Sequence, residues 1–206
     1  MKKIAIIDFV GIKAGMDYYD ESLLTGLSNI GYSTFLFSNY IKHVQSVNVI
    51  KVFDRNAKNK FAMLVSLILG LVKSVYLCKK NDVSKIILHV FSASNVTLLI
   101  FCFVKLFGIK ITTIAHDIVS CTGDDSSVAQ KLIYNNLSSA IVVHNNYSRN
   151  ILESLVEDRS KIKVILSGNY ISDINPVVTR EDARRSLGLD NSCRYILFFG
   201  QIKSVK

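Results

Sequence analysis

The chain has 206 residues, half of them apolar, and a formal net charge of +9 at pH 7. This length supports one substantial core, and a single proline with ten glycines excludes collagen-like or low-complexity sequence. Four cysteines without a CxxC pair fit neither a zinc site nor a disulfide framework, so we expect buried thiols in a cytoplasmic protein. The opening MKKIAIID reaches Asp8 after four apolar residues, which predicts a first strand rather than a signal peptide.

Positive charge is concentrated in residues 41–80, which contain eight Lys or Arg residues and one acidic residue, Asp54. A basic field of this kind favours an anionic partner such as a membrane surface, a nucleic acid or a phosphorylated substrate. A solvated basic face without a partner is the alternative. Because no RNP-like aromatic pattern or helix-turn-helix signature accompanies the charge, we expect no nucleic-acid partner.

Apolar runs of strand length alternate with helical patterns along the whole chain. The predicted strands are residues 3–10, 33–38, 47–53, 85–91, 109–116, 140–143, 161–166 and 194–199. The predicted helices are residues 17–29, 56–80, 95–107, 128–137, a segment that ends near 156, and 180–187. This alternation predicts an α/β fold with a Rossmann-like, doubly wound parallel sheet and right-handed crossovers.

The helix predicted at 56–80 is apolar nearly all round. Its narrow polar stripe consists of Ser66, Gly70, Lys73 and Ser74. Three interpretations stay open: a helix buried against the sheet, an interfacial helix on a membrane, and a membrane span. Basic residues on both sides favour the interfacial interpretation; these are Lys58, Lys60, Lys79 and Lys80.

Histidines lie at or near the ends of three predicted strands. His116 is followed by Asp117, His144 follows another strand, and His89 lies inside an apolar run. Ligands of open parallel sheets bind outside the carboxyl ends of the strands, so His116 and Asp117 are the first candidates for functional residues. For His89 the alternative is an ordinary core histidine. We expect no metal site, because three convergent histidines need a geometry that the sequence does not supply.

Several common nucleotide and hydrolase motifs are missing. The glycines after the first strand, in GIKAG, do not have the GxGxxG spacing of dinucleotide-binding proteins. The chain contains neither the GxxxxGK[ST] of P-loop NTPases nor the GxSxG of α/β hydrolases. Nicotinamide dehydrogenases, P-loop NTPases and hydrolases of that type are therefore disfavoured.

Four segments together resemble a known family. They are the loop Gly11–Gly15, the strand end TIAHDI, the run AIVVHNNYSRNILES, and the series KIKVILSGNYIS, RRSLGL and YILFFGQIKSVK. In this order they resemble the N-terminal half of a family 4 glycosyltransferase with the GT-B fold, in which two Rossmann-like domains face each other across a cleft. The resemblance implies an N-terminal acceptor-side domain at 1–170, a linker at 171–179, and the start of a truncated donor-binding domain at 180–206.

The resemblance also implies roles for individual residues. His116 would contact the reacting centre, and the substrate-binding residues would be Gly11, Gly15, Asp117, His144 and Asn145. Gly200 and Lys206 would hold the donor diphosphate, although Gln201 stands where the family commonly has arginine.

The implied reaction is sugar transfer with retention from a nucleotide-sugar to a saccharide or lipid-linked acceptor of cell-surface polysaccharide. It needs no cofactor beyond the donor, because basic groups and a helix N-terminus neutralise the leaving diphosphate. We expect a cytoplasmic protein, peripheral at the inner face of the membrane through residues 56–80. The chain alone would be nearly inactive, and we expect that its end at Lys206 reflects a truncation or a premature stop. The alternative is a non-catalytic, Rossmann-like module that binds a ligand or a membrane.

Overall fold

The computed structural model describes residues 2–12, 15–54, 59–118, 125–168 and 178–198. The chain divides into two compact units, Met1–Ser167 and Gly168–Lys206. The predicted linker at 171–179 lies mostly outside the described residues. The division into domains at 1–170 and 180–206 therefore stays a prediction.

Strands and helices alternate along the first unit, as the sequence pattern predicts. The strands are β1 (Lys2–Ile7), β2 (Tyr32–Ser38), β3 (Val47–Lys51), β4 (Lys85–Val90), β5 (Lys110–Ala115), β6 (Ser138–Val143) and β7 (Ile162–Val164). The helices are α1 (Met16–Asn29), α2 (Lys60–Lys80), α3 (Asn95–Leu106), α4 (Ser127–Lys131) and α5 (Asn146–Glu153). A π-helical segment (Leu132–Leu137) continues α4, and a 3-10 turn (Arg159–Lys161) precedes β7.

The second unit contains helix α6 (Arg180–Ser186), which Thr179 caps by accepting a hydrogen bond from the backbone N–H of Asp182. The strand predicted at 194–199 is wrong for residues 194–198, which form no strand. A strand is stabilised by backbone hydrogen bonds to a neighbouring strand. Among the described residues of this unit, 168 and 178–198, no neighbouring strand is present to form these hydrogen bonds.

The seven strands form one parallel sheet in the order β3-β2-β1-β4-β5-β6-β7. This confirms the predicted fold class, a Rossmann-like α/β sheet with flanking helices. The strand order reverses between β1 and β4, which pair in the register Ile4 to Lys85 and Ile6 to Ile87. In open α/β sheets, the crevice at such a switch point, outside the carboxyl ends of the strands, is where ligands bind.

Helices cover the two faces of the sheet unequally. One face carries the larger core, in which Ala5, Ile86 and Ile111 meet Val75 of α2 and Val104 of α3. The opposite face carries a smaller core in which Leu24 of α1 packs on Ile6, Ile87 and Ile114, among others. Because successive strand residues alternate between faces, strands β1 to β6 each contribute to both cores.

Local details differ from the sequence predictions in two places. The helix predicted at 128–137 is α-helical only to Lys131, with Ser126 as its cap, and then widens into the π-helical segment. Cys78 is buried, but Cys102 and Cys193 are exposed, so the expectation of buried thiols is wrong for these two. Cys102 is exposed because it lies on the side of α3 that faces away from the sheet.

Gly70 allows α2 to approach the sheet closely. A Cβ atom at this position would overlap the buried ring of Phe53 and lie 2.9 Å from the carbonyl oxygen of Val52. Alanine normally stabilises a helix interior by about 1 kcal/mol relative to glycine. We expect the opposite for Gly70→Ala, a loss of about 1–3 kcal/mol in the free energy of unfolding, because the core must shift to admit the methyl group.

Gly26 in α1 is the matched control, because a Cβ atom there meets nothing within 4 Å. Gly26→Ala should stabilise the protein by about 0.5–1 kcal/mol. Denaturant unfolding followed by circular dichroism gives both values. A stabilising effect of Gly70→Ala would contradict the close packing of α2.

Candidate functional site

Three histidines converge at the carboxyl edge of the sheet, on the face that α1 covers. His89 alternates with Ile87 in β4, and His116 lies two residues after Ile114 of β5, so both rings point toward α1. His144 follows β6 on the same side. Tyr19 of α1 lies among them, with its ring 5.4–5.6 Å from each of the three imidazoles in an edge-to-face arrangement.

A chain of hydrogen bonds joins His116 to the protein interior. Nε2 of His116 lies 3.0 Å from Nδ1 of His89. Nε2 of His89 lies 2.8 Å from Oδ1 of Asp20, and both side chains of this pair are almost fully buried. The ring of His116 also stacks on Phe91, with centroids 4.5 Å apart and planes inclined by 7°. His116 is thus held both in its plane and along one of its edges.

The inner end of this chain is a pair of buried carboxyl groups, Asp8 and Asp20. Asp8 follows β1 and accepts hydrogen bonds from the backbone N–H groups of Val10 and Gly11, at 2.8 and 2.7 Å. Burial raises the pKa of Asp8 to about 7, with the charge of Asp20 acting in the same direction and that of His89 opposing it. Burial likewise raises the pKa of Asp20 to about 8, opposed by its hydrogen bond with Asp8.

A hydrogen bond between two carboxyl groups requires a proton on one of them. Oδ2 of Asp20 finds no N–H or O–H donor among the described residues, so a proton shared with Asp8 satisfies it. At neutral pH the pair therefore carries close to one negative charge rather than two.

These contacts fix the tautomers of both histidines. With one proton shared between Asp8 and Oδ2 of Asp20, Oδ1 of Asp20 accepts from Nε2–H of His89. Nδ1 of His89 is then an acceptor, and Nε2–H of His116 donates to it. Nδ1 of His116 consequently carries a lone pair.

We call the hydrogen-bonded series Asp20, His89 and His116 the relay. Both of its imidazoles stay neutral over the physiological pH range. Burial lowers the pKa of His89 to about 4, although the Asp8 carboxylate acts in the opposite direction. Burial, reinforced by the charges of His89 and His144, lowers the pKa of His116 to about 3. His116 in the free protein is thus a hydrogen-bond acceptor held in place, with no positive charge of its own.

His144 lies outside the relay and holds Tyr19 in place. Its Nδ1 lies 2.8 Å from the carbonyl oxygen of Ile165, which can only accept, so this nitrogen carries the proton. Its Nε2 is then the acceptor for the hydroxyl of Tyr19, 3.1 Å away. Both ring nitrogens are engaged, and His144 fixes Tyr19 beside His116. The predicted substrate contact of His144 stays a prediction.

The other predicted site residues differ in how they are placed. Gly11 is buried, has a φ of +62°, and leaves no room for a Cβ atom beside Asn39. Gly15 precedes α1 with a φ of +76° and open space around it. Asp117 is exposed, and the side chain of Asn145 caps α5 by accepting from the backbone N–H of Ser148. Gly200 and Lys206 lie outside the described residues.

Sequence reasoning did not single out Asp8, Tyr19 and Asp20. A usable signal exists for Asp20, because it precedes Leu24 by four residues and so falls on the apolar stripe that α1 buries. An acidic residue on a buried stripe needs a partner. Asp8 carries a weaker signal, its place at the end of the strand beside the switch point.

A groove of about 810 Å³ opens next to the relay, between the ends of β1, β2 and β4 and the first turns of α2. His89 reaches its wall, and its lining is otherwise mostly apolar, including Phe9, Phe91, Met63 and Leu64. This volume is in the range of small-molecule sites. Within the described residues, no cluster of three or more His, Cys, Asp or Glu side chains has the arrangement of a metal site.

No protein-family model and no curated protein matches the sequence. The fold is nevertheless that of known structures. Sucrose-phosphate synthase from Thermosynechococcus elongatus matches 93% of this chain and 54% of its own, at a TM-score of 0.69 and 15% identity. HepE from Anabaena, solved in complex with UDP-glucose, matches 91% of this chain and 50% of its own, at a TM-score of 0.60 and 16% identity.

A third similar structure is the lipopolysaccharide outer core galactosyltransferase WaaB. It matches 82% of this chain and 46% of its own, at a TM-score of 0.52 and 13% identity. All three are GT-B glycosyltransferases. This chain therefore has the fold of a glycosyltransferase domain of the GT-B type, and it spans about half the length of the structures it matches.

Proposed function

We propose that this chain is the acceptor-side part of a glycosyltransferase that uses a nucleotide-sugar donor. Its acceptor is a saccharide or a lipid-linked saccharide of cell-surface polysaccharide biosynthesis, at the cytoplasmic side of the membrane. The observation that carries the proposal is the relay Asp20–His89–His116 at the switch point of a GT-B-type sheet. The UDP-glucose bound by HepE and the lipopolysaccharide acceptor of WaaB support the donor and acceptor classes.

The chemistry of sugar transfer gives the relay a role. An acceptor hydroxyl attacks the anomeric carbon, the bond from that carbon to the nucleoside diphosphate breaks, and the hydroxyl loses its proton as the new bond forms. Nδ1 of His116 offers a lone pair for this proton at the edge where substrates of this fold bind, and the negative carboxyl pair, linked to His116 through neutral His89, offsets the positive charge that His116 acquires. Tyr19, held by His144, lies beside the ring and restricts its orientation.

The stereochemical outcome is a separate question. Resemblance to family 4 implies retention at the anomeric carbon, without a catalytic metal. A positioned base can also serve direct inversion, because it activates the acceptor for attack from the opposite side of the sugar. The anomeric configuration of the product, determined by NMR, distinguishes the two.

The test uses the product of the complete reading frame that encodes these 206 residues. Release and transfer of sugar are measured with a panel of nucleotide-sugars and with soluble and lipid-linked acceptors. We expect transfer by the wild-type protein and a loss of about 100-fold in rate for His116→Ala, the size of an ordinary general-base effect. His43→Ala is the control, because His43 is exposed and outside the site.

Two results would contradict the proposal. Equal rates for wild type and His116→Ala would remove His116 from the chemistry. Ligand binding without turnover of any nucleotide-sugar would favour the non-catalytic binding module instead.

A further inference from the structure

Helix α2 is apolar on its exposed side as well as on its buried side. Its small and polar residues Gly70 and Ser74 are buried against the sheet, where the hydroxyl of Ser74 donates to the carbonyl of Gly70 at 2.7 Å. The side that faces away from the sheet is apolar. Its exposed residues are Phe61, Val65, Ile68, Leu69, Val72 and Tyr76, with 37–75% of each accessible. A helix that faced only water would carry polar residues there.

Helix α3 repeats this arrangement. It packs into the same core on the same face of the sheet through Ile100, Phe101 and Val104. Its outward residues include Val96, Leu99 and Leu106, of which 55%, 68% and 82% are accessible. The exposed apolar stripes of α2 and α3 therefore lie on one side of the sheet, and we call them together the outer apolar face. Contiguous apolar surface of this kind marks an interaction site.

The charged residues of α2 and α3 themselves all have one sign. Residues 59–80 and 94–107 contain no Asp or Glu, and their lysines are Lys60, Lys73, Lys79, Lys80 and Lys105. Exposed apolar side chains flanked by lysines are typical of segments that rest in the interface of an anionic membrane. This complementarity of charge favours lipid over a neutral or basic protein surface.

The packing of α2 argues against the interpretation of this helix as a membrane span. Among the described residues it is the helix long and apolar enough to cross a membrane, with 21 residues and a mean hydropathy of 2.1 in its most apolar window. Its sheet-facing side, however, is held in the core by Leu71, Val75 and Cys78 and by the close contact of Gly70 with Phe53. A helix packed in this way lies along the membrane surface with its outer side toward the lipid.

The groove beside the relay begins at this face. Met63 and Leu64 in the first turns of α2 line the groove and are themselves 59% and 51% exposed. Phe91, which stacks on His116, and His89, which hydrogen-bonds to it, also line the groove. The groove thus extends from the outer apolar face to the residues that hold the proposed base.

We infer that the outer apolar face docks on an anionic membrane surface and that the groove admits the lipid-proximal part of a lipid-linked acceptor, whose hydroxyl meets His116. The docking rests on the surface of α2 and α3 alone, whereas the role of the groove rests on the proposed function. The inference narrows the acceptor class from saccharides in general to lipid-linked saccharides.

Vesicle flotation tests the docking. The probes are vesicles of phosphatidylcholine alone and of phosphatidylcholine with phosphatidylglycerol in equal parts. We expect the wild-type protein to float with the anionic vesicles. Ile68→Gln combined with Leu99→Gln should lower the partition coefficient by about tenfold or more. Lys60, Lys79 and Lys80 changed together to Gln should lower it by about 100-fold at low salt, and less at high salt.

The matched control is Ile30→Gln combined with Ile41→Gln, because these isoleucines are 71% and 79% exposed but lie outside the outer apolar face. This control should float like the wild type. If the wild type does not float with anionic vesicles, or if all variants float equally, the docking is wrong. Self-association abolished by the Ile68 and Leu99 changes, without flotation, would assign the face to a second copy and would also overturn the inference.

A variant that narrows the groove tests the acceptor class. Leu64→Trp should lower transfer to a polyprenyl-linked saccharide by about tenfold or more relative to transfer to the same saccharide in soluble form. Equal transfer to both acceptors by the wild type, without flotation, would overturn the inference while the proposed function stands. Flotation without any transfer would confirm the docking and overturn the proposed function.

Discussion

Asp20→Asn is expected to abolish the loss of stability that the wild-type protein undergoes above about pH 6.5. The folded carboxyls of Asp8 and Asp20 have pKa values raised to about 7 and 8, whereas in the unfolded chain both have the ordinary value of 3.8. Between about pH 4 and 8 the folded state therefore binds more protons than the unfolded state, and this contribution to stability falls as the pH rises.

The histidines of the relay act in the opposite direction, but at lower pH. His89 and His116 have folded pKa values of about 4 and 3, so the unfolded chain binds more protons below its value of 6.5. Their contribution is lost as the pH falls from about 6.5 toward 3 and is constant above that range. The two effects largely cancel between about pH 4 and 6. The carboxyl effect alone is visible at higher pH, where it amounts to about 2 kcal/mol between pH 6.5 and 9.

Asparagine at position 20 reproduces the protonated carboxyl. Its Oδ1 can accept from Nε2–H of His89, and its Nδ2–H can donate to Asp8 without a titrating proton. Denaturant unfolding at a series of pH values should show a nearly flat free energy for Asp20→Asn over the alkaline range. Asp82→Asn is the control, because the Asp82 side chain is 90% exposed and should leave the wild-type slope intact. A slope in Asp20→Asn equal to that of the wild type would contradict the shared proton.

The repeating pattern of the sequence predicted the sheet, because alternating apolar strands and helices allow few arrangements in a layered α/β domain. The same pattern also indicates which side of the sheet the site histidines occupy. His89 pairs with Ile114 in the register of β4 and β5, and His116 lies two residues further on the same face. Period-two alternation alone therefore places the two rings on one side of adjacent strands.

Other features required the structure because they depend on how an element is rotated and how closely it approaches the sheet. The sequence of α2 shows a polar stripe of Ser66, Gly70, Lys73 and Ser74, which suggests a solvent-facing side. Packing turned Gly70 and Ser74 inward instead, because only small residues allow the helix to approach Phe53. The hydrophobic pattern does not specify this inversion, and it is the inversion that exposes the outer apolar face.

Asp20 and His89 are expected to be energetically coupled, which a double-mutant cycle on the two residues can measure. His89→Leu removes the donor to Oδ1 of Asp20, and Asp20→Ala removes the acceptor from Nε2 of His89. Each single change leaves a buried polar group without its partner and should cost about 2–4 kcal/mol. The double variant removes both groups, so its cost should be smaller than the sum of the two by about 1–3 kcal/mol.

Leu187→Ala, at the residue that follows α6, is a suitable control partner for the cycle, because Leu187 is 70% exposed and its effect should add to that of His89→Leu. Additivity of Asp20→Ala and His89→Leu would contradict the relay. A strong coupling with a small net cost of the double change would show that the core does not need these polar groups for its stability. The buried carboxyl pair and the two hydrogen-bonded imidazoles would then be retained for what they do at the sheet edge, which is to hold His116 neutral and in one tautomer.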